Sequence, residues 1–275
     1  MKIFLTGGTG FIGKNFIKMA LKKGIYIFAT TRQKKTSKHK NLKWLEGDFS
    51  LNWRELANSD VLVHLAAEGV VFNKNNKSKI FKTNLSKSKK LLKNAIKYGC
   101  KKWLIASTSS EYGSSLEKFK SVNINTIREP DNYYSLSKFY FTNEAVKLAI
   151  KYKCKARIMR IFPVYGIGEN RERLYTSLIK AAKAGKNFKI KNPSELRDFS
   201  KVEYVCKVLI DAINFKKKKF KNSQIWHVSE NNIMTIKKFS QNVWNNFNSK
   251  GKLIFENNYN QSKKRHISLN SSRWK

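Results

Sequence analysis

Short apolar runs and longer amphipathic segments alternate along the first 160 or so residues. Ile3-Phe4-Leu5 within KIFLTG predicts a first strand. Behind it, FIGKNFIKMALKKG places Phe11, Ile12, Phe16, Met19 and Ala20 on one face at helical spacing and stops at Gly24. IYIFATT, LKWLEGD and DVLVHLAA predict the second, third and fourth strands. A helix over about residues 78–98 closes at Tyr98-Gly99, KWLIAST predicts a fifth strand, residues 135–152 a long helix, and KARIMRIF a sixth strand. Strands alternating with helices call for a parallel sheet with crossover helices on both faces, a doubly wound α/β fold. After Pro163 the alternation weakens. Ile179 to Gly185, RDFSKVEYVCKVLIDAI and IWHVSE read as a smaller mixed α/β part with one strand returning to the sheet, which sets the expected division at 1–162 and 163–275. The sequence has no internal repeat and no long linker.

Composition narrows the class. With 275 residues, 41% of them hydrophobic and 13% aromatic, the chain has ample material for a core. No apolar run approaches the roughly 20 residues that span a bilayer, and the N-terminus is poor material for a secretion signal. Cys100, Cys154 and Cys206 are far apart, odd in number and without metal-ligand spacing, as expected of reduced thiols in a cytosolic protein. The net charge of +39 is mostly Lys, spread over the chain in stretches such as FNKNNKSKIFKTN and NFKKKKFKNSQ. That spread reads as composition drift of the kind AT-rich coding produces, in preference to a dedicated nucleic-acid surface. Charge alone still predicts weak, salt-sensitive binding of polyanions and attraction of an anionic substrate.

Candidate chemistry starts at LTGGTGFIGKN. Gly7, Gly10 and Gly13 stand in the first strand-to-helix turn, where glycines permit the tight turn, the approach of backbone N–H groups to a pyrophosphate, and close packing of helix on strand. The helix N-terminus beyond them adds partial positive charge. A plain structural turn is the alternative, and the placement at the first turn of the sheet favours a dinucleotide. The second strand ends in ATTRQKK, with no acid for a ribose 2′-hydroxyl but with Thr31, Arg32, Lys34 and Lys35, which favours NADP over NAD.

YSLSK puts Tyr134 and Lys138 four residues apart, on one face of a helix. An ammonium beside the phenol predicts a lowered phenol pKa and a group able to move protons near neutral pH. An amphipathic helix with an exposed Lys fits the pair equally. IASTSSEYG, some 25 residues earlier, ends a strand in hydroxyl residues, where ligands sit in such sheets.

Taken together, TGGTGFIG, GD at 47–48, HLAA at 64–67, Asn84, STSSEYG, YSLSK, RIFPVYGIGE and RDF resemble the extended short-chain dehydrogenase/reductase family. Within it, the chain is similar to the NAD(P)-dependent epimerases, dehydratases and 4-ketoreductases of nucleotide sugars. The resemblance implies a Rossmann-type NAD(P)-binding domain followed by a substrate-binding part. It implies that Gly7, Gly10 and Gly13 line the pyrophosphate, with Phe11 and Ile12 opening the helix, that Asp48 contacts the adenine, and that Leu65, Ala66 and Ala67 run along the cofactor. It further implies Thr108 as the catalytic hydroxyl, Tyr134 as acid/base, Lys138 as the holder of the nicotinamide ribose, and Arg197 of RDF as a contact to the substrate phosphates, for which its bidentate donors suit it. A surface charge is the alternative for Arg197.

The sequence departs from the family in four places. Ser109 and Ser110 replace the Asp-Glu pair of the 4,6-dehydratases, which disfavours that reaction. Pro163 stands where many relatives have Asn, Glu111 where an apolar residue is usual, and the chain is expected to stop short of the family's last helix. The resulting expectation is a cytoplasmic NAD(P)-dependent 4-ketoreductase or C4 epimerase of a nucleoside-diphosphate sugar, with Thr108 and Arg197 on the substrate. A homodimer paired through the helices at 78–98 and 134–152 goes with it. Two rivals are a non-catalytic Rossmann protein binding RNA or another polyanion, and an enzyme for a small carbonyl compound. No metal site is expected.

Overall fold

The structure is a computed structural model and describes residues 1–70, 76–215, 224–256 and 264–274. Much of the two lysine-rich stretches, residues 72–75 and 216–223, lies outside the described residues.

Strands form at the apolar runs. β1 (Lys2–Thr6), α1 (Phe11–Lys22), β2 (Tyr26–Thr31), β3 (Leu42–Glu46) and β4 (Val61–His64) come first. α2 (Lys77–Phe81) leads through a π-helical turn, Lys82–Lys87, into α3 (Ser88–Lys97). β5 (Lys102–Thr108), a single turn α4 (Ser115–Lys118), α5 (Tyr133–Lys151) and β6 (Lys155–Ile161) follow. The remainder comprises β7 (Val164–Tyr165), α6 (Leu174–Lys183), β8 (Phe188–Ile190), β9 (Leu196–Asp198), β10 (Ser200–Lys201), α7 (Val202–Ala212), β11 (Gln224–Val228), β12 (Ile233–Thr235), α8 (Ile236–Trp244), β13 (Leu253–Phe255) and β14 (Arg265–His266).

The main sheet has the order β11-β6-β5-β4-β1-β2-β3, and every pair in it is parallel. This is the expected doubly wound α/β arrangement, and IWHVSE supplies the strand that returns to it, β11 beside β6. One face of the sheet packs on α1 and α7 through Phe16, Ile17, Ala20, Val205 and Leu209, and the other on α3 and α5 through Leu91, Leu92, Phe141 and Ala145. A separate cluster joins α6, α8 and their short strands around Leu178, Ile190, Phe199 and Phe239, with the last two rings stacked at 3.9 Å.

Two local features set up the site. Asn132 and Ser135 form a capping box, each side chain receiving the other's backbone N–H, so α5 starts at a fixed point just before Tyr134. The helix expected over 78–98 is present but not regular. Its π turn admits one extra residue and brings Asn84 into the interior, where a regular helix would have rotated it away.

Candidate active site

α1 begins at Gly10 with no side-chain cap, so its first N–H groups remain available to a ligand. Gly7 takes φ +75°, and a Cβ there would lie 2.6 Å from the backbone N of Ala66. The turn is therefore closed against the end of β4 in a way only glycine allows. It opens into a cavity of about 980 Å³ at the carboxyl ends of the strands. Gly7, Gly10, Phe11, Ile12, Gly13, Arg32, Asp48, Leu65, Ala66, Ala67, Thr108, Tyr134, Lys138 and Arg197 all line it. These fourteen positions thus border one space, and Arg197 is part of its wall.

At one end of the cavity Asp48 accepts from the Ser50 N–H at 2.9 Å and the Ser50 hydroxyl at 2.7 Å, and pairs with Lys87. Burial by itself would raise this carboxyl, but the hydrogen bonds from Lys87 and Ser50 hold it below the usual carboxylate range. Arg32, at the end of β2, makes no hydrogen bond or ion pair among the described residues.

In the middle, Thr108 at the end of β5 and Tyr134 in the first turn of α5 line the cavity together, and the Thr108 side chain acts on the Tyr134 phenol. Lys138, one turn on and almost fully buried, donates to the Ala106 carbonyl at 2.7 Å. Here the structure corrects the sequence expectation. The Tyr134 phenol is pushed up to about 12 by desolvation, with partial relief from the Arg173 charge and the Thr108 side chain. Lys138 does not lower it, because its own ammonium is buried against a backbone carbonyl and is itself depressed to about 8.

Asn84, buried by the π turn, accepts from the Glu68 N–H at 2.8 Å and donates to the Glu68 carbonyl at 2.9 Å and to Ser137 at 3.0 Å. It ties the loop after β4 to α5 beside Lys138. His64 lies behind this point between Thr6 (2.6 Å) and Ser88 (2.9 Å), and burial holds its imidazole down at about 3, hence neutral.

The far end of the cavity joins Arg197 and Ser109 to residues the sequence analysis did not single out. Arg173 pairs with Glu169 at 2.8 Å, Arg197 with Glu195 at 2.6 Å, and Lys264 with Asp131. His266 approaches Ser109 at 3.4 Å. Arg197 engages Glu195 through Nε. The Glu169/Arg173 spacing of four residues on opposite charges was readable in the sequence. Lys264 and His266 were not, since they reach the cavity only because β14 pairs with β9. Ser109 and Ser110 line the wall without an acid between them, and Pro163 keeps its carbonyl on Ser200 N–H at 2.8 Å. No cluster able to hold a metal ion occurs among the described residues, nor is any helix there long and apolar enough to cross a membrane.

The chain belongs to the NAD dependent epimerase/dehydratase family, whose family model matches residues 3–227. It is 29% identical over 221 residues to a GDP-6-deoxy-D-talose 4-dehydrogenase of Aggregatibacter actinomycetemcomitans, covering 78% of this chain and 70% of that protein. It is 30% identical over 225 residues to an ADP-L-glycero-D-manno-heptose-6-epimerase of Brachyspira hyodysenteriae, covering 75% and 70%. Among solved structures, MoeE5 in complex with UDP-glucose and NAD shares the fold with a TM-score of 0.82 at 21% identity, over 95% of this chain and 87% of that one.

Proposed function

We propose that this member of the family acts at C4 of a nucleoside-diphosphate sugar, as a 4-ketoreductase or a C4 epimerase. The observation that carries the reading is the convergence of Thr108, Tyr134 and the buried Lys138 on one cavity at the strand ends, which the glycine turn and Arg197 also line. The glycine cradle and the uncapped N-terminus of α1 fit a nicotinamide dinucleotide. When bound, that cofactor supplies the hydride acceptor or donor for C4.

The chain's own residues do the rest. Thr108 orients the 4-oxygen. Tyr134, whose phenol stays protonated well above neutral pH, gives a proton to that oxygen in reduction. Lys138 holds the ribose. Arg197, with Nε on Glu195, turns its remaining donors to the substrate phosphates. Ser109 and Ser110 offer no carboxylate for eliminating water, in keeping with an oxidoreductase or epimerase. The relative named a 4-dehydrogenase supports the ketoreductase side.

NADP is the favoured cofactor, because Arg32 lines the cavity with no ion pair among the described residues and the end of β2 carries no acid. Arg32→Ala should raise the KM for NADPH at least tenfold (about 1.4 kcal/mol) and leave that for NADH in place. The division at residue 162, a cytosolic setting for the buried free thiols, and a homodimer paired through α3 and α5 complete the reading. Tyr133, Tyr140 and Ile150 are exposed on α5, and light scattering on the purified protein decides the last point.

The deciding experiment mixes the protein with NADPH or NADH and a panel of nucleotide sugars that includes 4-keto-6-deoxy sugars. Steady loss of reduced nicotinamide identifies a ketoreductase, and an altered sugar with no net loss identifies an epimerase. No change with any sugar sinks both. Arg197→Ala should impair a nucleotide sugar and spare a small ketone.

A further inference from the structure

Glu111 stands where the family resemblance calls for an apolar side chain, and it is fully buried. Its carboxylate is nevertheless surrounded by donors. Oε1 accepts from Ser107, the residue before Thr108, and from Thr142 at 2.7 Å, one helical turn after Lys138. Oε2 accepts from Arg128 Nη1 at 3.0 Å, with Arg160 Nε 3.5 Å away. Arg128 also donates to Asn143 at 2.8 Å and lies over the Phe139 ring at 4.4 Å, so it is held against α5 as well.

Three hydrogen bonds and a second guanidinium therefore surround this carboxyl, the kind of partnering that offsets the cost of burying it. Its position is the telling part. It bonds one residue from Thr108 on β5 and one turn from Lys138 on α5, so it fixes these two elements against each other. Through Thr142 it is held one helical turn from the buried Lys138, on whose ammonium its charge acts.

We infer that Glu111 is a positioning residue that clamps the end of β5 to α5 and supplies the counter-charge that keeps Lys138 protonated. The inference rests on the roles proposed above for Lys138 and Tyr134. Among charged groups near this point, Glu111 opposes the burial that depresses Lys138, and its charge also acts on the Tyr134 phenol. His64 on the other side is neutral and contributes no charge. Arg128 and Arg160 face Glu111, with Tyr112 alongside, and Arg173 acts on Tyr134.

The clamp and the counter-charge are separated by two substitutions with opposite electrical effects. Glu111→Gln keeps the shape and removes the charge. Arg128→Gln leaves the carboxylate and removes one of its two guanidinium partners. The readout is the affinity for NADPH and NADH, followed by tryptophan fluorescence between pH 6.5 and 9.5, because an ammonium that holds the ribose binds more tightly below its pKa. The wild-type midpoint is expected near the Lys138 value of about 8. Glu111→Gln should move it down by about one unit and Arg128→Gln should move it up, since a nearby opposite charge shifts a pKa by roughly that much. Melting curves show whether each variant is folded, and an unfolded Glu111→Gln leaves the upward shift of Arg128→Gln to decide. Midpoints that stay in place, or that move in the same direction, overturn the counter-charge, as does a wild-type affinity that does not titrate. Turnover is a separate readout. A protein that binds cofactor with a titrating midpoint but converts no sugar nucleotide refutes the proposed reaction and leaves the Glu111 result standing.

Discussion

A Cβ placed on Gly13 would lie 2.1 Å from the carbonyl oxygen of Gly7 and 2.8 Å from the Cα of Gly8. Both obstacles are backbone, in the turn proposed to cradle the cofactor, and neither can swing aside. Gly13→Ala should therefore cost on the order of 1–3 kcal/mol or more, read as a melting temperature lower by several degrees, and should abolish stabilisation by NADPH. Gly24→Ala is the comparison. That site also has positive φ, +70°, but nothing lies within 4 Å, so it should lose only the conformational term of about 1 kcal/mol and keep cofactor binding.

Tyr134→Phe removes the proton and keeps the ring. We expect kcat for a 4-keto sugar nucleotide to fall about 10²- to 10⁴-fold, with cofactor affinity within a factor of two or so of wild type. In the intact protein, ketoreduction should be level through neutral pH, because the phenol is held up to about 12. It should decline above about 8, where Lys138 loses its proton. A rate that instead rises through pH 8 would mean the phenol acts as a base in the measured step.

His64 and His227 are fully buried and held at about 3 by desolvation, against an ordinary value near 6.5. Because the unfolded chain binds these two protons and the folded chain does not, stability is complete above about pH 6.5 and falls as the pH drops toward 3. Each imidazole accounts for about 2 kcal/mol between pH 7 and pH 5. His266 is held down to about 3 as well, so urea midpoints at the two pH values test this and His227→Gln should flatten the histidine-driven dependence by about a third. Equal midpoints at pH 7 and pH 5 would contradict it.

Arg273 donates to Asp198 at 3.1 Å, to Ser229 at 2.8 Å and to the Ser268 carbonyl at 2.6 Å, all in the interior. Arg273→Leu leaves the Asp198 carboxylate buried without its cation, a loss of about 3–5 kcal/mol. Asp198→Asn in the same chain should recover a good part of it. Since Asp198 adjoins Arg197, the single variant is also expected to raise the KM for the nucleotide sugar more than it lowers kcat. Chemical denaturation and steady-state kinetics on the two variants check both statements.

Why so much of this was readable follows from parallel sheets. Strands covered on both faces are written as unbroken apolar runs, and their carboxyl ends, where the ligand space opens, coincide with the glycines at 7–13, with Asp48, with Leu65–Ala67 and with Thr108. What was not readable depends on distance in the chain or on a local irregularity. The π turn at Lys82–Lys87 breaks helical spacing for one turn only, so Asn84 could be noticed but not placed. Glu111 looked out of place because Arg128 and Arg160, which neutralise it, come from a loop and from β6. The lowering of Tyr134 expected from Lys138 followed correctly from their spacing, and burial of both groups reversed it. β8, β9, β12, β13 and β14 have two or three residues each, too few for any period to register.

Gly7 and His266 line the same cavity from opposite ends of the chain, with β14 reaching it only by pairing to β9. On a ribosome adding about 5–20 residues each second, the sheet order can begin to form long before that final wall exists. A nascent chain can thus form the glycine turn early, yet it completes the far wall of the cavity only after β14 has emerged and paired with β9. Ligand-dependent protection from proteolysis should therefore appear abruptly as ribosome-bound chains lengthen past that strand.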